Sequence, residues 1–194
     1  MSNDHSGQGM KSNTSSDATE SAAPQLDKRD PMQRAAEDAV MLKAFEECVQ
    51  QSESTLVSSG APAEYARNIA YARSMFGLPN WHVVACALPG ANQPEIKQLA
   101  MIAVRDAQGN ATPSLAVFVT ETIAEAEIPR MNIPIVGGFW LTLRVPTVSV
   151  VGWIRSLRID AVSVVVQGGG AGPARVLGVD FLEKVQGIEA QPPA

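Results

Sequence analysis

Apolar residues recur at helical spacing along two stretches in the first half of the chain. The first follows Asp30-Pro31, an N-cap with proline at the first helical position, and predicts a helix to about Gln51. The second opens after Pro62 and closes at Gly77. The apolar stripe of the first helix consists of Val40, Met41, Ala44, Phe45, Cys48 and Val49. A short polar link joins the stretches, so residues 32–77 are predicted to form an amphipathic helical hairpin.

Strand-like runs and short helices alternate through the second half of the chain. Residues 81–88 are apolar on both faces, as in an interior strand, and residues 139–145 alternate as in a half-buried strand. Two further runs flank a charged, glycine-containing turn and predict an antiparallel hairpin. Helices are predicted after Thr120, after Pro146 and from residue 179. The pattern predicts an α+β fold with a small mixed sheet of about five strands and packed helices.

The composition divides the chain into four segments. Residues 1–31 are almost entirely polar and cannot bury enough apolar surface to offset chain entropy, which predicts a disordered tail. The helical hairpin over 32–77 follows, then the α+β domain over 78–188. Residues 189–194 form a C-terminal tail. We found no internal repeat in the sequence.

Charge and cysteine content exclude several classes of function. The 194 residues carry a formal net charge of -5 and no clustered Lys/Arg segment, which argues against nucleic-acid binding and against a membrane-surface role. No apolar run is long enough to span a bilayer, and no secretory signal is visible. Cys48 and Cys86 are interpreted as small buried hydrophobes without a disulfide framework. These features predict a cytoplasmic protein, although export without a cleaved signal would leave no trace.

A glycine-rich loop after the last strand is the first candidate for chemistry. Gly168 to Pro173 follow a strand, but the Lys and Ser/Thr of a P-loop are missing, and Pro173 removes a backbone donor. We interpret the loop as a structural turn. The alternative is a small-molecule or enzyme site that uses Gln167, Gly169 and Arg175.

The other candidates for catalysis or metal binding are also weak. His82 and Cys86 lie four residues apart on a strand, about 13 Å, too far for a dyad or a shared metal. Glu121, Glu125 and Glu127 lack a histidine or further acidic ligands nearby and are interpreted as a solvated face. The sequence therefore predicts no catalytic, cofactor or metal residues and favours a non-enzyme.

Residues 78–188 resemble the N-terminal domain of the SseB family of bacterial proteins. The likeness lies in the strand at Trp81-His82-Val83-Val84 and in the strand Leu115 to Thr120-Glu121 that leads into a short helix. It continues in the helix after Val145-Pro146-Thr147, in the buried strand and turn from Ala161 to Pro173, and in a closing helix over 177–185. The resemblance implies an α+β fold around a small mixed sheet and no established reaction.

These observations favour a non-catalytic protein-interaction or accessory domain of a bacterial cytoplasmic protein. The expected partner is another protein, contacted through the hairpin, the helix that carries Trp153, or the glycine-rich loop. Phe45 and Trp153 are therefore candidate contacts beside the loop residues. Self-association through the apolar stripe of residues 32–77 is a further alternative.

Overall fold

The computed structural model describes residues 30–90, 94–105, 111–130, 137–166 and 175–189. The helices are α1 (Pro31–Ser58), α2 (Ala63–Phe76), α3 (Glu121–Glu127), α4 (Thr147–Ser156) and α5 (Val179–Glu189), with a 3₁₀ turn at Ile128–Arg130. The strands are β1 (Asn80–Leu88), β2 (Glu95–Leu99), β3 (Met101–Arg105), β4 (Ala111–Phe118), β5 (Phe139–Pro146), β6 (Ala161–Val165) and β7 (Arg175–Gly178). Across these ranges, no helix is long and apolar enough to cross a membrane.

The strands form one mixed sheet that forks between β1 and β4. Strand β5 pairs with one side of β1, and β6 then β7 extend the sheet beyond β4. β4 and β6 are parallel and the other pairs are antiparallel. β1 and β4 meet where His82 pairs with Phe118, while β2 pairs with β1 and β3 pairs with β4.

Ala100 lies at the apex of this fork, between β2 and β3. Its N–H donates to the carbonyl of Val84 on β1 at 2.8 Å, and its carbonyl accepts from the N–H of Ala116 on β4 at 3.1 Å. β2 therefore runs along β1 toward Ala100, and β3 runs back along β4 away from it. We call this arrangement of β2, Ala100 and β3 the fork.

Both faces of the sheet are covered, as the apolar pattern of β1 predicts. Every residue from Trp81 to Ala87 is buried. The larger core joins one face of the sheet to α1, α2, α4 and α5, and the smaller core joins the other face to α3. The indole N–H of Trp81 donates to the carbonyl of Met75 at 2.8 Å and ties β1 to the end of α2.

The helical hairpin is part of the larger core. Phe45 and Tyr71 make an edge-to-face contact with ring centroids 5.9 Å apart, and the Arg67 guanidinium lies 2.9 Å from the Glu53 carboxylate. The order of these contacts makes α1 and α2 antiparallel, as predicted. α1 extends beyond the predicted end at Gln51 to Ser58, because the Ser/Thr-rich segment there stays helical and Leu56 packs against the core.

The apolar stripe predicted for α1 is divided by the fold. Phe45 and Val49 are buried at 3% and 7% exposure, whereas Val40 is 71% exposed. Cys48 is also exposed, so its predicted burial is wrong, while the predicted burial of Cys86 is confirmed. The face of α1 that meets the protein is displaced around the helix from the predicted stripe and includes the carboxylate of Asp38.

The predicted α+β class is confirmed, with seven described strands rather than about five. The additional strands are β2, whose residues are mostly exposed, and the four-residue β7. The antiparallel pairing of the two runs that flank the charged turn is confirmed by β3 and β4, which pair from Met101 with Leu115 to Arg105 with Ala111. The predictions made for residues 1–29, for the glycine-rich loop at 167–174 and for residues 190–194 lie outside the described ranges.

Candidate functional site

An apolar cleft lies between the fork and the carboxyl end of α4. Its volume is about 570 Å³. The lining residues come from β2, β3, β5, α4 and the segment after α4, and are Ile96, Lys97, Gln98, Leu99, Met101, Leu143, Trp153, Leu157 and Ile159. Seven of these nine side chains are apolar, so the cleft is suited to apolar groups of a ligand or partner.

The apolar side chains at the mouth of the cleft are exposed to solvent. Ile96, Met101 and Leu157 are 40%, 41% and 40% exposed. In the sheet register Ala87 pairs with Ile96 on one side and with Phe139 on the other. The side chains of Ala87, Ile96 and Phe139 therefore lie on the same face of the sheet. Phe139 is 42% exposed. Grouped exposed apolar residues of this kind mark interaction sites more often than isolated ones do.

Trp153 forms part of the wall of the cleft and packs against the larger core. Leu157 closes the last turn of α4, and its N–H donates to the carbonyls of Trp153 and Ile154. Arg158 then adopts a left-handed conformation with φ of 57°, which ends the helix and reverses the chain. The reversal brings Ile159 back to the cleft beside Leu157.

An ion-pair network fixes α4 against α5. The Nε of Arg155 lies 2.8 Å from Oε1 of Glu183, and Arg155 also pairs with Asp180. Hydrogen bonds and charge attraction from the Arg155 guanidinium lower the pKa of both carboxyl groups and raise the pKa of Arg155 itself. All these side chains face solvent at least in part, so the network positions α4 more than it stabilises the fold.

A second group of polar side chains is buried where α1 meets α3. Glu121 is 3% exposed, and its carboxylate lies 3.4 Å from the guanidinium of Arg34, which also contacts Glu125 at 2.8 Å. Asp38 is 2% exposed and accepts hydrogen bonds from the N–H and the hydroxyl of Thr122, both at 2.8 Å. These contacts attach the first half of α1 to the first turn of α3.

The interpretation of Glu121 as part of a solvated face is therefore wrong, whereas Glu125 is exposed as predicted. The sequence did not reveal this because Arg34 lies far from the three glutamates along the chain, and burial of Glu121 depends on the docking of α1. His82 is 2% exposed and lies between Arg144 and Phe118 in the sheet register. Within the described ranges, no group of three or more His, Cys, Asp or Glu residues is arranged to hold a metal ion.

Of the three predicted contact residues within the described ranges, only Trp153 lies in the cleft. Phe45 is buried between α1 and α2. Arg175 joins β7 to α2, because its Nε donates to Oδ1 of Asn68 at 2.7 Å and its guanidinium pairs with Glu64. Gln167 and Gly169 lie outside the described ranges. The remaining cleft residues were not predicted, although the apolar residues Ile96, Leu99 and Met101 that interrupt the polar segment 95–101 were a usable signal.

Comparisons of the chain with protein-family models, with curated proteins and with solved structures found no match. The resemblance to the SseB family stays a prediction.

Proposed function

We propose that this chain is a non-catalytic protein-interaction or accessory domain that binds an apolar segment of another protein in the cleft between the fork and α4. The observation that carries the proposal is the set of three half-exposed apolar side chains, Ile96, Met101 and Leu157, around the wall formed by Trp153. The same proposal includes a bacterial, cytoplasmic setting, which the SseB resemblance and the sequence composition imply.

The chemistry of the cleft favours apolar groups over charged ones. The charged lining residue is Lys97, and its ammonium group pairs with the carboxylate of Glu95 on the same strand. Each apolar side chain that a partner buries there contributes about 1.5–3 kcal/mol before the cost of association. Two or three such anchors give about 3–9 kcal/mol, from which the cost of association is subtracted, so we expect a weak and reversible contact.

The rival function, a small-molecule or enzyme site at residues 167–175, has less support. Arg175 is the described member of that site, and its guanidinium is engaged by Glu64 and Asn68. A ligand anion would have to compete with these contacts. The described part of the loop therefore favours a structural role for Arg175.

The test is a selection of apolar peptides from a random display library against the full chain. The selected peptides should bind at least tenfold more weakly to Ile96→Glu and Leu157→Glu, because each variant puts a carboxylate into the cleft. Val148→Glu is the matched control, since Val148 is an 87% exposed apolar residue of α4 that is not among the cleft residues. Equal binding to the wild type and both cleft variants would refute the proposal.

A thermal-shift screen of small apolar and anionic metabolites separates the rival function from ours. Our proposal predicts that no metabolite raises the melting temperature of the wild type and of Leu157→Glu while leaving that of Arg175→Ala unchanged. Such a shift would instead support a ligand site near the glycine-rich loop.

A further inference from the structure

Strand β5 is an edge of the sheet. It pairs with β1 over all eight of its residues, and no other strand in the described ranges pairs with it. Its side chains are nevertheless well buried, with Leu141, Leu143 and Val145 at 8%, 4% and 0% exposure. An edge strand presents unpaired N–H and C=O groups that can pair with another strand, and in β5 the proline stands only at the last position. β5 therefore has side chains already packed on both faces and a backbone edge that can extend the sheet.

The register defines which backbone groups of β5 point away from β1. The N–H of Thr147 donates to the carbonyl of Pro79, which continues the ladder one step beyond the Asn80–Pro146 pair. Because hydrogen-bonded residues alternate along an antiparallel ladder, the odd-numbered residues of β5 bond to β1. The even-numbered residues point outward. Pro146 is one of them, so its missing N–H costs no bond to β1.

We propose that two copies of this chain pair through β5, antiparallel and about a two-fold axis at Thr142. In this register Thr142 faces its own counterpart, and Trp140 faces Arg144 of the other copy. All three are outward-pointing residues, so the pairing forms about six backbone hydrogen bonds, two in each of three residue pairs. Pro146 comes opposite Gly138 and ends the ladder.

Other registers use the edge less well. A shift that places Thr142 opposite Arg144 brings Trp140 against Pro146, which cannot donate a hydrogen bond. A shift in the other direction places Arg144 opposite Gly138, beyond the start of β5. The symmetric register is the one in which Trp140, Thr142 and Arg144 all pair within the strand.

The side chains on the α3 side of the sheet also fit this register. The Thr142 hydroxyl is buried and has no hydrogen-bond partner in the described structure. Directly opposed residues of an antiparallel pair have Cβ atoms about 4.5–5.5 Å apart, and opposed threonines hydrogen-bond to each other. The pairing therefore supplies the Thr142 hydroxyl with a partner. Trp140 and Arg144 become cross-strand neighbours, a favourable arrangement of an aromatic ring and a guanidinium.

Apolar side chains face each other on the opposite side of the sheet. Leu141 of one copy lies opposite Leu143 of the other, and Phe139 lies opposite Val145. Phe139 is 42% exposed in the single chain, so the pairing removes apolar surface from water. The occupant of the β5 edge is thus a second copy of the same strand.

Cysteine cross-linking in the full chain tests the register directly. In a background with Cys48→Ser, Thr142→Cys should form a disulfide-linked dimer, because the two Cα atoms lie about 5.5 Å apart, within disulfide range. Phe139→Cys is the matched control and should not cross-link, since residues 139 of the two copies lie about 20 Å apart. Cross-linking through Phe139→Cys and not through Thr142→Cys would overturn the proposed register.

Sedimentation equilibrium of the unmodified chain keeps the test decisive even if a cysteine variant fails to fold. We expect a concentration-dependent dimer that Phe139→Lys weakens at least tenfold, because Phe139 contacts the second copy. Val57→Lys, at a residue of α1 with similar exposure, should leave the dimer unchanged. A wild-type monomer at millimolar concentration, or a dimer that Phe139→Lys leaves intact, would overturn the proposal. The peptide-binding proposal does not depend on either result.

Discussion

Removal of the Phe45 ring tests whether the helical hairpin and the sheet unfold as one unit. Phe45 is 3% exposed, belongs to the larger core with Val49, and contacts the edge of the Tyr71 ring. Phe→Ala in such a site costs about 3–5 kcal/mol, through lost transfer free energy and the cavity left behind. With a urea slope of about 2 kcal/mol/M, Phe45→Ala should lower the unfolding midpoint by about 2 M.

Tryptophan fluorescence is the appropriate assay, because all three tryptophans lie outside the hairpin, at positions 81, 140 and 153. If α1 and α2 share the core with the sheet, the fluorescence transition should shift by the full amount and coincide with the loss of helical circular dichroism. Val40→Ala, at a 71% exposed position on α1, should change stability by no more than about 0.5 kcal/mol. An unchanged tryptophan transition in Phe45→Ala would refute a shared core.

Two further predictions concern the ion pairs of α4 and the cysteines. Arg155→Gln should return the carboxyl pKa values of Asp180 and Glu183 toward their ordinary range, measured by NMR titration. Because these pKa values are lowered in the folded state, the contribution of Arg155 to stability is present above the unfolded pKa near 4 and is lost as the pH falls through the lowered values. A stability difference between wild type and variant that grew at acidic pH would contradict this. A thiol reagent should label Cys48 rapidly and Cys86 only on unfolding, since Cys48 is exposed and Cys86 is buried; equal rates would contradict the fold.

Local signals in the sequence were sufficient to predict most of the elements. Asp30 caps α1 by accepting from the N–H groups of Met32 and Gln33, as an Asp-Pro start predicts. Thr120 likewise caps α3 through the N–H of Ile123. Pro146 is the last residue of β5, and α4 begins directly after it, as expected. These signals depend on neighbouring residues, so the sequence contains them directly.

Features that depend on distant contacts could not be predicted in the same way. The end of α1 was placed too early because the Ser/Thr-rich segment has weak helix propensity, and the contribution of Leu56 to the core is visible only after folding. Burial of Glu121 depends on Arg34 of α1. The cleft depends on the fork at Ala100, where one segment leaves β1 and joins β4. Among the predicted contact residues that the structure describes, Trp153 lies there because α4 lines the cleft together with β2 and β3.

The fork is the structural feature from which the proposed function follows. Strands β1 and β4 meet at His82 and Phe118 and accommodate β2 and β3 farther along. The apolar side chains of these two short strands are covered only in part by α4, and Ile96 and Met101 stay about two-fifths exposed. A partner segment that covers them completes the packing on this side of the sheet.

Hydrogen exchange of the full chain, with and without a selected apolar peptide, tests the central claim most directly. The account predicts that the peptide slows exchange in residues 95–101 and 153–159, which form the two walls of the cleft. Leu157→Glu should abolish this protection, and Val148→Glu should retain it. Protection confined to another surface, such as the exposed face of α1 around Val40, would contradict the account.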